Sequence, residues 1–273
     1  MGDKFETLGR DLTLRVTAPI VGIGAAITKV SADFETSLSK IVGLVGVSRE
    51  QVNDWKEDIL DIAKETAKAP EELADAMFFV TSAGLKGKDA LDVLEMSAKA
   101  ARAGLGETKV VADLVTSAMN AYGIEHLNAA QATDILVATV REGKAEAPEL
   151  AAAMGQVLPV ASAMGVSFDQ VGGAIAGMTR TGTPAAVAST QLRQILVSIL
   201  KPSSQARDTL ESLGLSAAGL RSQIREEGLL ATLQTLVDSF GDNEEASAQV
   251  FGNVRALAGV MDLLGGNAES NIA

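Results

Sequence analysis

Side chains able to do chemistry are scarce in this chain. His126 is its only histidine, and it has no cysteine. Zinc needs three or four His, Cys or carboxylate ligands converging on one point, and a serine–histidine pair needs a third group to orient the imidazole. His126 falls in the turn between Tyr122 and Asn128 with no second histidine to draw on, and it reads as solvent-facing. Adjacent carboxylates occur at Glu71/Glu72, Glu226/Glu227 and Glu244/Glu245. Glycoside hydrolysis needs two carboxyl groups flanking one bond. These pairs fall near expected helix ends, where they complement the dipole. Gly172-Gly173 lacks the strand before it and the lysine within it that a phosphate loop requires. The expectation is therefore no catalytic residue, no metal site, no cofactor and no enzyme activity.

Charge narrows the partners. With 23 basic against 35 acidic residues the formal net charge is −12, the opposite of a phosphate-binding footprint, so direct nucleic-acid binding is not expected. The start, Met1 to Glu6, is polar and does not read as a signal peptide. The early apolar run from Val16 to Thr28 is too short to span a bilayer and contains Pro19.

The elements that must position these residues are helices. Hydrophobic residues make up 47% of the chain and aromatics only 3%, so any core is built from Ala, Val, Leu, Ile and Met. No segment alternates with period two, and the predicted class is all-α. The best punctuated stretch is 143–200. There Pro148 suits a first helical turn, and Ser167-Phe168-Asp169-Gln170 reads as a capping box with Val166 and Val171 at staple spacing. Thr183-Pro184 reads as an N-cap followed by proline at the first helical position, and Lys201-Pro202 as a stop.

Upstream, helices are expected over 3–18, broken at Pro19, then from Ile20 to about Val45. Ser48-Arg49-Glu50-Gln51 is a capping box opening a helix with Val52, Trp55, Ile59 and Ile62 on its buried stripe. Further helices run from Pro70, from about Lys88, from about Glu107, and from an Asn128 cap to Gly143. Downstream, Ser203 or Ser204 and Ser216 open short helices, Leu229–Phe240 is another, and a last helix runs from Asp242-Asn243-Glu244-Glu245 to about Leu264. Residues 72–77 echo 149–154, an offset of 77, so a duplicated three-helix unit is expected over about 70–122 and 148–200. The organisation read from this is N-terminal helices 1–47, a helical core 48–202 and C-terminal helices 203–273, folded back on one another. Four residues are candidates for helix packing or interaction. Trp55 is a core or interface anchor, Gly173 and Gly177 form a G-x-x-x-G match suited to a close helix crossing, and Pro19 marks a break.

Several blocks in order resemble phage tail tape measure proteins: 14–20 with the Gly/Ala run after it, Ala32-Asp33-Phe34-Glu35, Glu72-Leu73-Ala74 through Leu85, Ala147-Pro148-Glu149-Leu150-Ala151, Gly165-Val166-Ser167, and Phe251-Gly252-Asn253-Val254-Arg255-Ala256-Leu257. The resemblance covers about residues 14–265. It implies a structural protein of the virion that lines the tail lumen, sets tail length during assembly in the host cytoplasm, and leaves ahead of the DNA. The partners it implies are tube subunits, the tail-tip hub and tail assembly chaperones, with about three copies per tail. As one unbroken helix 273 residues would reach about 400 Å. The prolines and glycines forbid that, so a folded portion is expected. A homo-oligomer, three chains favoured, is expected with residues 3–45 at its axis. The rival reading is a membrane-active, pore-forming helical protein, favoured by the Ala/Gly-rich helices. A muralytic enzyme domain is third, and contact with the host membrane during ejection remains compatible with the first.

Overall fold

A chain with glycine or proline at most helix boundaries must turn back after every few turns, and this one does. The computed structural model describes residues 32–264 except 242 and 253. Helix α1 (32–40) runs into a π-helical turn, Ile41–Val45, ended by Gly46 at φ 74°. Then come α2 (Arg49–Thr66), α3 (Pro70–Ser82), α4 (Gly87–Ala100, continued by a π turn Ala101–Leu105), α5 (Thr108–Tyr122), α6 (Ala129–Glu142), α7 (Ala147–Met164), α8 (Phe168–Arg180) and α9 (Ala185–Leu200). The C-terminal part holds α10 (Ser204–Ser212), α11 (Ala217–Glu227), α12 (Leu229–Phe240), α13 (Glu244–Phe251) and α14 (Val254–Leu264). Among the described residues no strand forms, and the chain is all-α.

The helices stack in two rows. Each of α3, α5, α7 and α9 packs on the next, and α14 closes the row against α9. Opposite them α2, α4, α6 and α8 pack in turn. Each segment marked by the sequence offset, 70–122 and 148–200, holds three helices with the first packed on the third. One cluster of buried side chains runs from Phe34 to Leu263. Its members are mostly aliphatic, as the composition requires, with Trp55 and Ile59 of α2 among them. Four buried threonines cost little, because their hydroxyls donate to the preceding turn: Thr81 to the Met77 carbonyl, Thr116 to Ala112, Thr139 to Ile135 and Thr232 to Gly228.

Several local signals are obeyed. Ser48 and Asn128 form complete capping boxes with Gln51 and Gln131, Ser203 and Ser216 cap α10 and α11, and Pro148 lies in the first turn of α7. Three local expectations are corrected. Ser167 precedes α8 but makes no side-chain cap. Its expected partner Gln170 instead accepts from the Leu229 amide of α12 at 3.2 Å, an acceptor drawn away by a tertiary neighbour. The N-cap before α9 is Pro184, not Thr183, whose hydroxyl donates to Asp262 Oδ2 of α14 at 2.8 Å. The expected final helix is two, broken where Gly252 takes φ 62°. Helix α7 runs through an exposed proline, Pro159, whose missing N–H leaves the Gly155 carbonyl without that partner. The expected helix 3–18 and Pro19 lie outside the described residues.

Candidate functional site

Two helix corners lie side by side on one face. The first joins α5 to α6. Tyr122 is the last residue of α5, Gly123 turns at φ 87°, and Asn128 caps α6. The second joins α7 to α8, where Gly165 takes φ 83° before Val166 and Ser167. A substituent on Gly165 would meet Arg225 Cγ at 2.7 Å, so this corner is closed from behind by α11. Between the corners lies a cleft of about 650 Å³.

Its floor is apolar. Leu127, Val166 and Phe168 are buried, Ile135 is half-buried, and the Tyr122 and Phe168 rings meet at 5.9 Å between centroids. Its rim carries His126, Gln131, Asp134 and Asp169, all exposed. The Tyr122 hydroxyl is buried without a hydrogen-bond partner. Burial, and then the negative charge of Asp169, push its ionisation well above the ordinary phenol range, so it stays a neutral donor and acceptor. The packing of α6 on α8 sets the rim. A Cβ on Gly172 would overlap Thr139 Oγ1, and one on Gly143 would meet the Ala176 Cα at 3.1 Å. These contacts advance in the same direction along both helices, so the two run parallel, and Asp134 of α6 and Asp169 of α8 both border the cleft. A second cleft, about 400 Å³, lies on the other side of the first corner between Asp89, Asp92, Met96, Met119 and the exposed Ile124.

His126 is an exposed turn residue, as its sequence context indicated. Among the described residues no group of three or more metal-ligating side chains converges, and no helix is long and apolar enough to cross a membrane. Of the carboxylate pairs, Glu72 is tied into the fold. Burial alone would raise its ionisation, but the Thr108 hydroxyl and the Lys68 ammonium bond its carboxylate and hold it below the ordinary range.

The residues singled out from sequence do not meet at this cleft. Trp55 is buried in α2 beside Val52 and Ile59. Gly177 is buried in α8, whereas Gly173 is exposed and the space beside it is open. The close helix crossing expected of the glycine pair occurs one residue earlier, at Gly172. Pro19 lies outside the described residues. Sequence reasoning missed Tyr122, Asp134 and Asp169. Their only local signal is the chain's single tyrosine at a helix end before a glycine turn.

Comparison with known proteins fits the resemblance already read in the sequence. A tape measure protein of Pneumococcus phage Dp-1 is 28% identical over 274 residues, covering 98% of this chain and 24% of that protein. A probable tape measure protein of Clostridium phage phiCD119 is 29% identical over 98% of this chain and 30% of its own length. A probable tape measure protein of Escherichia phage P2 is 21% identical over 86% of this chain and 30% of its own length. The chain thus spans about a quarter to a third of the length of these relatives. No solved structure matches it. Residues 56–254, from the middle of α2 to the start of α14 and so both rows of helices and the cleft between their corners, match the family described as phage-related minor tail protein, and the chain belongs to that family.

Proposed function

We propose that this chain serves as the folded part of a tape measure protein: a structural component that lies in the tail lumen or tip, takes part in setting tail length, and leaves ahead of the DNA. The observation that carries this reading is similarity to tape measure proteins along 98% of the chain. The fold refines it. The longest described helices, α2 and α7, have 18 residues each, or about 27 Å of length. A two-row body of such helices is a compact module rather than a ruler, so length would be measured by sequence elsewhere in the same polypeptide. Tube subunits, the tip hub and tail assembly chaperones are the partners this reading implies, with assembly in the host cytoplasm.

Mass spectrometry of purified particles tests it. Peptides from 32–264 should be present in intact tails and depleted from tails that have released their DNA. Tails lacking these peptides before release would refute the reading. We also propose a homotrimer joined through residues 3–45, apart from Phe34, Leu38 and Ile41, which are buried in the chain's own core. Truncation after Val45 should convert the trimer to monomers in solution mass measurement, and a full chain that is monomeric would refute this assembly.

A further inference from the structure

The echo of 77 residues between 72–77 and 149–154 spans two steps of a shorter period. Helices α3, α5, α7 and α9 begin at Pro70, Thr108, Ala147 and Ala185, 38 or 39 residues apart. Their buried positions keep that spacing. Leu38 of α1, Met77, Val115, Met154 and Leu192 are buried at intervals of 39, 38, 39 and 38 residues, and the residues four before, one before and three after each of them are buried as well. In the opposite row Trp55, Val93, Ala132 and Val171 stand 38, 39 and 39 residues apart, each with buried residues three before and four after. The helix ends are tied at a similar step. Arg102 donates to the Glu65 carbonyl, Asn120 to that of Ala83, Ser162 to that of Ala121 and Arg180 to that of Glu142. Each of these side chains thus satisfies a C-terminal carbonyl of the helix before it in the same row.

We propose that residues 32–180 are four repeats of one helix pair, α1–α2, α3–α4, α5–α6 and α7–α8, and that this stack opens one pair at a time from its N-terminal end while the remainder stays folded. In a stack of repeats each unit contacts only its neighbours, so stability is a sum of unit and interface contributions. The two ends of this stack differ. Among the described residues the first pair packs, outside itself, on the second. Its ion pair there, Lys40 with Asp75 at 3.5 Å, is half-exposed and contributes little. At the other end α9 covers the fourth pair and is itself packed by α11, α13 and α14. Gln170, Thr183 and Ser198 add hydrogen bonds to α12, α14 and α13 there. Opening from that end would break the contacts of several helices at once. One opened pair releases up to about 130 Å of extended chain, so the stack lengthens in steps. The inference rests on packing alone and holds whether or not the chain is carried in a tail lumen.

The chain contains no cysteine, so one introduced thiol can report on each pair. Ala63→Cys, Ala98→Cys, Ala132→Cys and Ala153→Cys each replace a buried alanine, one per pair. Each single variant of the full chain is labelled with an aromatic disulfide reagent, at a dilution where mass measurement gives one chain. A buried thiol reacts only when its pair opens, so its rate follows the open population. The rates should fall in the order 63, 98, 132, 153, by at least about tenfold per pair. A second substitution gives the direction. Ile59→Val, in the first pair, should speed all four thiols by a common factor of about two to ten, since each later pair opens only after the first. Ile199→Val in α9, beyond the fourth pair, should lower the thermal midpoint yet leave the rates at 63, 98 and 132 unchanged. Native-state hydrogen exchange of the unsubstituted chain should rank the four pairs in the same order, which keeps the test decisive where a cysteine variant folds poorly. Equal rates at the four thiols, or a common acceleration by Ile199→Val, would show one cooperative body and overturn the inference. The reverse order of rates would also overturn it, by placing the opening at the α9 end.

Discussion

Gly172 and Gly173 are adjacent on α8, yet alanine at these positions should act in opposite directions. Both are interior to the helix Phe168–Arg180, so each substitution gains about 0.8–1 kcal/mol of helix propensity. At Gly173 nothing lies within 4 Å of the new methyl. Gly173→Ala should therefore stabilise by about that amount, or about 2–4 °C in thermal midpoint for a domain of this size. At Gly172 the methyl overlaps Thr139 Oγ1 and lies 3.3 Å from Ile135 Cγ2. Thr139 is buried and its hydroxyl is bonded to the Ile135 carbonyl at 2.8 Å, so it cannot rotate away freely. Overpacking of this kind costs about 1–3 kcal/mol. The propensity gain is common to both variants and cancels, so the two should differ by that overpacking cost, about 4–8 °C at its midpoint. Circular dichroism melts of the full chain measure it. In the background of Thr139→Ala the penalty at 172 should vanish, a coupling of about 1–3 kcal/mol. Equal shifts for the two alanines, or no coupling to residue 139, would refute the close crossing of α6 and α8.

Gln170→Ala removes the acceptor that the Leu229 amide uses. It should cost about 0.5–2 kcal/mol, as loss of a helix cap does, and hydrogen exchange should accelerate first in the opening turn of α12. Thr183→Val breaks the bond to the Asp262 carboxylate; chemical denaturation should show a loss of about 1.5–3 kcal/mol with an unchanged m-value. Glu72 supplies a pH dependence. Its ionisation is lowered in the folded chain, so its contribution is present above the ordinary carboxylate range and is lost as pH falls through the folded value. Glu72→Gln should flatten the acid limb of the stability–pH curve and leave its slope above about pH 6 unchanged; an unaltered acid limb would show that Thr108 and Lys68 do not act on this carboxylate.

The amino-acid sequence by itself determined that this chain is helical and where most helices begin and end. Those decisions rest on groups a few residues apart. Ser48 reaches Gln51, Asn128 reaches Gln131, Pro148 needs no N–H in a first turn, and Lys201-Pro202 cannot continue α9. Where a polar side chain had two acceptors or donors to choose from, only the tertiary structure decided. Gln170 serves α12, 59 residues away, rather than its own helix, and Thr183 reaches α14, 79 residues away, rather than capping α9. The same limit applies to the glycines of α8. Composition predicts a close crossing, but whether Gly172 or Gly173 faces the neighbour depends on how α8 is rotated against α6, and that rotation is set by packing across the whole row. The cleft was illegible for a related reason. Tyr122, Asp134 and Asp169 come from three helices, and a concave surface between two corners exists only once the rows have stacked and left the Tyr122 hydroxyl inside without a partner.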